Sequence, residues 1–325
     1  MIKILESVNW GENISEVISN DGCKVLKVKN ETGEGVMTVY DVFPGVIVMY
    51  NDFHMSYCVS EFQAYDGNLL CIDYCTEGCM EHEMNEDSYC YLESGDLNVD
   101  IRRYHAGKVT FPLNHFHSIS IVFFLPDAEE KMKEEIKDFS VDLHDLQEKF
   151  CRNKKGYVIK ARDEIANIFS GLYHVPFKIR NDYFRIKIFE LLLYLDALEF
   201  ENEKKEKIYF YKDQVEKIKC IQRFLTNNMT KHYTIKDLSE QFDISQSALK
   251  KCFKTVYGRP IFSYMQNVRI NIAADMIINH KEKSIAEIAG TIGYDSPSKF
   301  SSAFKKIIGT SPFEYRKCGE ERIIL

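Results

Sequence analysis

The chain has 325 residues, 45% of them hydrophobic, and a formal net charge of −7. That length exceeds one small domain and that apolar content suffices for two packed cores, while no apolar run reaches the 18 residues of a membrane span. Ten cysteines behind an N-terminus, MIKILESVNWGENIS, that lacks a signal-peptide pattern predict a cytoplasmic protein with reduced thiols, not a disulfide framework.

In chain order, the first 22 residues offer only a short helix around Gly11–Ile18. From Cys23 the apolar period shifts toward two. Strands are predicted over Cys23–Asn30, Gly35–Phe43, Val46–Phe53, Asn68–Cys75, Tyr89–Ser94, Leu97–Phe111 and Ile119–Leu125, with turn signals at Asp66-Gly67, Glu77-Gly78 and Gly95-Asp96. Closely spaced strands of this kind predict an antiparallel sandwich or small barrel, with room for one small ligand in its mouth.

From Asp127 the pattern becomes helical. Asp127–Phe139, Ser140–Cys151 and Lys160–Leu172 are amphipathic, and Arg180–Phe200 carries an apolar stripe of Phe184, Ile188, Leu191, Leu192, Leu195 and Leu198. That stripe packs either on the barrel or against a second subunit. Glu199–Lys207 is a charged stretch, read as part of a linker. The halves differ in charge. From Asp213 onward 18 Lys and Arg stand against 12 Asp and Glu, giving +6; the remainder holds 24 basic and 37 acidic residues, giving −13. A basic C-terminal half attracts phosphate and an acidic N-terminal half does not.

The C-terminal half contains an internal repeat. Ser284–Arg316 reads as two short helices around a tight turn at Gly293 and Tyr294, the second opening near Asp295–Pro297, burying Phe300, Ala303 and Phe304 and stopping at Gly309. Thr234–Tyr264 is an earlier copy. Thr234, Ile235 and Leu238 match Ser284, Ile285 and Ile288 at an offset of 50. Beyond the turn the offset is 51, where Leu249, Phe253, Lys254, Gly258 and Tyr264 match Phe300, Phe304, Lys305, Gly309 and Tyr315. Between the copies, Ile261–Asn279 predicts one helix, a rod about 28 Å long. Successive major grooves on one face of DNA lie about 34 Å apart. Two helix-turn-helix motifs on such a rod point to double-stranded DNA.

The run G-Y-D-S-x-S-x-F-x-x-x-F-K-K-x-x-G-x-S-P-x-x-Y-R at Gly293–Arg316 resembles the signature of the AraC/XylS family of bacterial transcription regulators. The resemblance covers about Val215–Lys317, the first copy more loosely than the second. It implies an α+β protein: a cupin-like antiparallel β-barrel sensor at 1–126, a helical dimerisation segment at 127–200, a linker at 201–212 and an all-α DNA-binding domain with two helix-turn-helix motifs at 213–318. It further implies a homodimeric, non-enzymatic activator that contacts RNA polymerase and answers to a small-molecule effector.

In the first recognition helix, about Ser245–Tyr257, an inward Leu249, Cys252 and Phe253 leave Gln246, Ser247, Lys250, Lys251 and Lys254 for DNA. Lys suits guanine or phosphate, and Gln suits adenine. In the second, Ser296, Ser298, Lys299 and Ser302 are short or phosphate-seeking, and Lys305 and Lys306 are further phosphate contacts. Gly309, Pro312 and Tyr315 read as structural, and Arg316 as a support of the fold or a phosphate contact. In the N-terminal half, His54, Arg102, His115 and His117 are candidate ligand contacts. His115 and His117 share a strand face, but no carboxylate stands at a matching spacing, so no metal and no cofactor are assigned. Cys71 and Cys75 lie about 13 Å apart on an extended strand, too far for one ion. The alternatives are a metal-dependent cupin enzyme fused to a DNA-binding module and a cysteine redox sensor; the latter is opposed by Glu77, Glu81 and Glu83 around the thiols. A DNA-alkyl acceptor of the Ada type needs a following C-x-x-C, which the sequence lacks.

Overall fold

The computed structural model describes residues 14–20, 22–60, 69–85, 88–101, 107–151, 157–199 and 210–321. The chain divides into two compact units, 1–210 and 211–325. The expected turn at Asp66-Gly67, the candidate Arg102 and most of the expected linker lie outside the described residues.

The described residues of the first unit begin with a strand over part of the stretch expected as a short helix: β1 (Ile14–Asn20) runs antiparallel to β2 (Cys23–Asn30), with Ile14 opposite Val28. Its β-branched Ile14, Val17 and Ile18 suit extended chain, and the ladder to β2 satisfies the backbone that an isolated helical turn leaves unpaired. There follow β3 (Gly33–Phe43), β4 (Val46–His54), β5 (Tyr57–Ser60), β6 (Leu69–Asn85), β7 (Ser88–Glu93), β8 (Asp96–Asp100), β9 (Gly107–Thr110) and β10 (Phe116–Phe124). The stretch expected as one strand over 97–111 is thus two strands flanking 102–106. All pairings are antiparallel, and the main sheet runs β1-β2-β3-β4-β10-β6-β7, curling into a half-barrel.

Glu77-Gly78 is not a chain reversal but a kink inside the 17-residue β6. The first half of β6 lies between β10 and β8, and the second half between β7 and β9. The register slips by one residue beside His117, and Gly78 adopts φ +89. A Cβ there would stand 2.3 Å from the His115 carbonyl oxygen, so only glycine permits the bend.

Strict alternation divides the sheet into two faces. On one, Val46, Val48, Ile72, Ile119, Ile121 and Phe123 meet the helices α1 (Leu125–Glu135), α2 (Leu143–Phe150), α3 (Asp163–Leu172) and α4 (Arg180–Ala197). A further strand, β11 (Tyr157–Lys160), pairs with β8. The predicted stripe on α4 is buried here: Phe184, Ile188, Leu191, Leu192, Leu195 and Leu198 all belong to this core. The stripe therefore serves the intrachain core. On the other face, Met37, Ile47, Met49, Phe53, Phe111 and Phe116 line the hollow of the curl.

The second unit is all helix among its described residues beyond Tyr211: α5 (Lys212–Asn227), α6 (Ile235–Gln241), α7 (Gln246–Tyr257), α8 (Ile261–Asn279), α9 (Ile285–Thr291), α10 (Pro297–Ile308) and α11 (Pro312–Glu321). The central helix has the bounds the sequence predicts, and it packs on α5 and α7 and on α9, α10 and α11. No helix among the described residues is long and apolar enough to cross a membrane.

Candidate functional site

The two halves of the second unit repeat one construction in atomic detail. Thr234 caps α6 by accepting from the Asp237 backbone N–H, and the Asp237 carboxylate in turn accepts from the Thr234 N–H; Ser284 and Glu287 do the same for α9. Ser245 caps α7 and Ser296 caps α10. Both of these helices end on a left-handed glycine, Gly258 at φ +70 and Gly309 at φ +91. Phe253 meets Tyr264 at 5.5 Å between ring centroids and 77° between planes, and Phe304 meets Tyr315 at 5.5 Å and 69°. These edge-on pairs fasten each recognition helix to the element that follows it.

With Leu249, Cys252 and Phe253 buried in one motif and Phe300, Ala303 and Phe304 in the other, the opposite faces are open. Gln246, Ser247, Lys250, Lys251 and Lys254 are exposed on α7, and Ser298, Lys299, Ser302, Lys305 and Lys306 on α10. Ser296 is half-buried and its hydroxyl is engaged by the Lys299 N–H, so it holds the helix start.

The motifs are joined by more than α8. The loop between α5 and α6 docks on the turn of the second motif. Arg269 on α8 donates to the Lys231 carbonyl at 3.2 Å, and the His232 ring nitrogen lies 3.3 Å from the Gly293 carbonyl oxygen. Gly293 sits at φ +85, and a Cβ on it would stand 2.8 Å from the Met229 carbonyl oxygen. A groove at this junction is lined in part by Lys231, His232, Gln266, Arg269 and Lys299. Of these only Lys299 was anticipated. The others come from a loop and from the spacer helix, outside the expected recognition faces.

In the first unit the hollow of the sheet encloses a cavity of about 130 Å³. Most of its wall is apolar, from residues such as Met37, Met49, Phe53 and Phe111. Asn51, Asp73, Ser118 and Ser120 supply a polar strip. Asn51 donates to the Ser118 and Ser120 hydroxyls, each at 3.0 Å, and Ser120 donates to Asp73 at 2.5 Å. An apolar hollow with a few convergent polar groups is the usual form of a small-molecule site. His54, His115 and His117 do not line it. They stand on the other face of the sheet, because Asp52 and His54 alternate with Asn51 and Phe53, and His117 alternates with Phe116 and Ser118.

The thiols of this unit are sequestered. Cys71, Cys75, Cys79 and Cys90 are buried, and burial pushes the Cys58 thiol up to about 12 and raises Cys75 and Cys79 as well. This is opposite to the depressed pKa of a reactive thiolate.

Two capped, solvent-facing helices carrying lysines, mounted in one unit on a shared spacer, define a tandem helix-turn-helix nucleic-acid-binding module. Residues 238–318 match the model of the helix-turn-helix domain. A putative AraC-like transcription regulator of Streptomyces lividans is 33% identical over 93 residues, 29% of this chain and 30% of the relative. The melibiose operon regulatory protein of Escherichia coli strain K12 is 32% identical over 99 residues, 30% of this chain and 32% of the relative. The lactose operon transcription activator of Staphylococcus xylosus is 33% identical over 93 residues, 29% of this chain and 33% of the relative. The match thus spans about a third of the length of these relatives. The C-terminal unit is an AraC-type helix-turn-helix domain.

Replacing Gly293 by Ala is expected to destabilise the second unit by about 1–2 kcal/mol from the left-handed backbone alone, with more from the contact at Met229. Calorimetry of the full chain checks this, and a variant as stable as wild type would remove the docked junction from the account. The Asp237 and Glu287 carboxylates are held below the ordinary range chiefly by the backbone N–H groups of Thr234 and Ser284. A folded-state pKa below the unfolded value means their contribution is full above the ordinary carboxylate pKa of about 4 and is lost as pH falls through the lowered one. The D237N/E287Q double variant is therefore expected to show a shallower acid destabilisation of this unit in denaturation at stepped pH.

Proposed function

We propose that this protein is a sequence-specific DNA-binding transcription regulator, acting as an activator and tuned by a small molecule in the first unit. The observation that carries the reading is the pair of open, lysine-bearing helices held on one spacer. Each can enter a major groove, α7 with base-reading chemistry and α10 with short serines that favour phosphate anchoring and DNA shape. Activation draws on the relative named an activator, and contact with RNA polymerase rests on the resemblance. The cavity beneath the curled sheet is where an effector of modest size and mixed polarity fits; a co-purifying molecule in native mass spectrometry of the full chain is its check.

A homodimer is part of the same proposal, with a relocated surface. The expected stripe on α4 is consumed by the core. Ile179, Ile186 and Leu193, seven residues apart, with Tyr194 beside them, leave an apolar line open on the outer side. A redox-sensing reading is opposed by the raised thiol pKa values of Cys58, Cys75 and Cys79. The relatives reported above are named as regulators and not as enzymes.

The direct test is fluorescence anisotropy of the full chain on promoter fragments between 50 and 200 mM salt (a range over which about six to ten phosphate contacts weaken binding about 10³- to 10⁵-fold). Lys254→Ala and Lys305→Ala are expected to weaken binding to all fragments and to lower the salt slope by about 1 each. Gln246→Ala is expected to cost about 1–3 kcal/mol on the preferred site only. No salt-dependent preference for any fragment would sink the reading. Leu193→Arg is expected to shift the chain toward monomer in sedimentation while leaving its circular dichroism unchanged; an unaltered sedimentation profile would move the dimer surface elsewhere.

A further inference from the structure

The helix-side face of the sheet ends, beyond the ring of Tyr50, in a cluster that the DNA-binding reading does not use. β4, β10 and β6 are neighbours, and His117 on β10 stands opposite Asp52 on β4 and opposite Glu77 on β6. A step of two along β4 adds His54, and a step of two along the chain from His117 adds His115. We propose that Asp52, His54 and His117 form a binding site for one divalent transition-metal ion of the zinc class, with Glu77 as the positioning residue for His117.

The distances suit a single ion. One oxygen of Asp52 lies 2.9 Å from Nε2 of His54 and 3.1 Å from Nε2 of His117. The three ligand atoms all fall within 4.8 Å of one another. A tetrahedral ion with bonds of about 2.0–2.1 Å places its ligand atoms about 3.3 Å apart, so both Asp52–histidine distances are already close to that value. Two neutral imidazoles and a carboxylate are donors that zinc, cobalt and nickel accept, and they leave a fourth position for water.

His117 supplies an independent observation. Its Nε2 is shielded from solvent and makes no hydrogen bond, although the Asp52 carboxylate is 3.1 Å away: the atoms are close but misaligned for a proton between them. A cation does not need that alignment; it needs the lone pair of Nε2 and the negative oxygen on the same side. On the other edge of the ring, Nδ1 lies 3.6 Å from a Glu77 oxygen. At that distance the carboxylate is no hydrogen-bond partner, but its charge favours the tautomer with the proton on Nδ1, which leaves the Nε2 lone pair for the ion. The Thr76 hydroxyl donates to the His117 carbonyl oxygen at 3.0 Å and steadies the strand at the same level. His54 and Asp52 are 63% and 56% exposed, so the ion is reached from solvent without opening the fold. The site faces away from the cavity, so an ion and a cavity ligand can be bound together.

The test uses the untagged full chain, stripped with chelator and titrated with Co²⁺ and then Zn²⁺. One equivalent of Co²⁺ is expected to bind, with visible absorption of a low-coordinate site and without the ultraviolet thiolate-to-cobalt band that a cysteine ligand gives. Zn²⁺ is expected to displace it and to raise the melting temperature of the first unit. Asp52→Asn and His54→Ala, both at exposed positions, and His117→Gln are expected to weaken binding at least 10-fold, and Glu77→Gln by about 10- to 100-fold. His144→Ala removes another histidine–carboxylate pair, His144 with Glu129 at 3.4 Å, and is expected to change nothing. Absence of saturable binding, a thiolate band, or equal affinity in Asp52→Asn and His54→Ala would overturn the proposal. None of these outcomes bears on whether the second unit binds DNA.

Discussion

The second unit depends on one helix whose buried residues serve two cores. Over 19 residues α8 buries Ile261 and Met265 near its start and Ile270, Ala273, Ala274 and Ile277 further on, the latter four in one core with α9 and α10. Such a helix cannot rotate about its axis without exposing one core or the other. The orientation of both recognition helices is therefore set by ordinary apolar packing, and the Phe–Tyr pairs and the docked loop at Gly293 remove remaining play. If both motifs meet DNA as proposed, fixed spacing spares the unfavourable ordering of two loosely tethered motifs at the moment of binding.

In the first unit the equivalent constraint is alternation. Each strand of the curl sends every second side chain to the helix layer and the others to the hollow. One bend, at Gly78, lets β6 serve two sets of neighbours and so wrap the sheet around the cavity. The same alternation separates two kinds of chemistry only one residue apart in sequence. Asn51 and Ser118 face the cavity, while Asp52 and His117 face the opposite side. A molecule in the hollow and an ion on the outer face would bear on the same strands, β4 and β10, from opposite sides.

Much of the second unit was legible because its information is local and repeated. Capping residues, left-handed glycines and apolar spacing act within a few residues, and a second copy makes each signal count twice; the bounds of α8 and the stop of α10 at Gly309 follow. The exposed sets on α7 and α10 follow from the same periodicity. The groove residues Lys231, His232 and Arg269 were not legible, because loop docking brings them together from separate elements. In the first unit the strands were legible, but Gly78 read as a turn: a positive-φ glycine marks a bend without saying whether the chain reverses, and only the partner strands decide that.

By itself the sequence determined the tandem helix-turn-helix, its spacer and the helix face each lysine takes, since helical periodicity and caps act over a few residues of contiguous chain. It also determined that a β-rich, acidic half precedes it. Long-range packing alone buries the α4 stripe within the chain, brings Asn51, Asp73, Ser118 and Ser120 together as the polar strip of a mostly apolar cavity, and sets Asp52, Glu77 and His117 abreast. Those three lie 25 and 40 residues apart along the chain, and strand register, which depends on long-range pairing and on a single bulge, is what makes them neighbours.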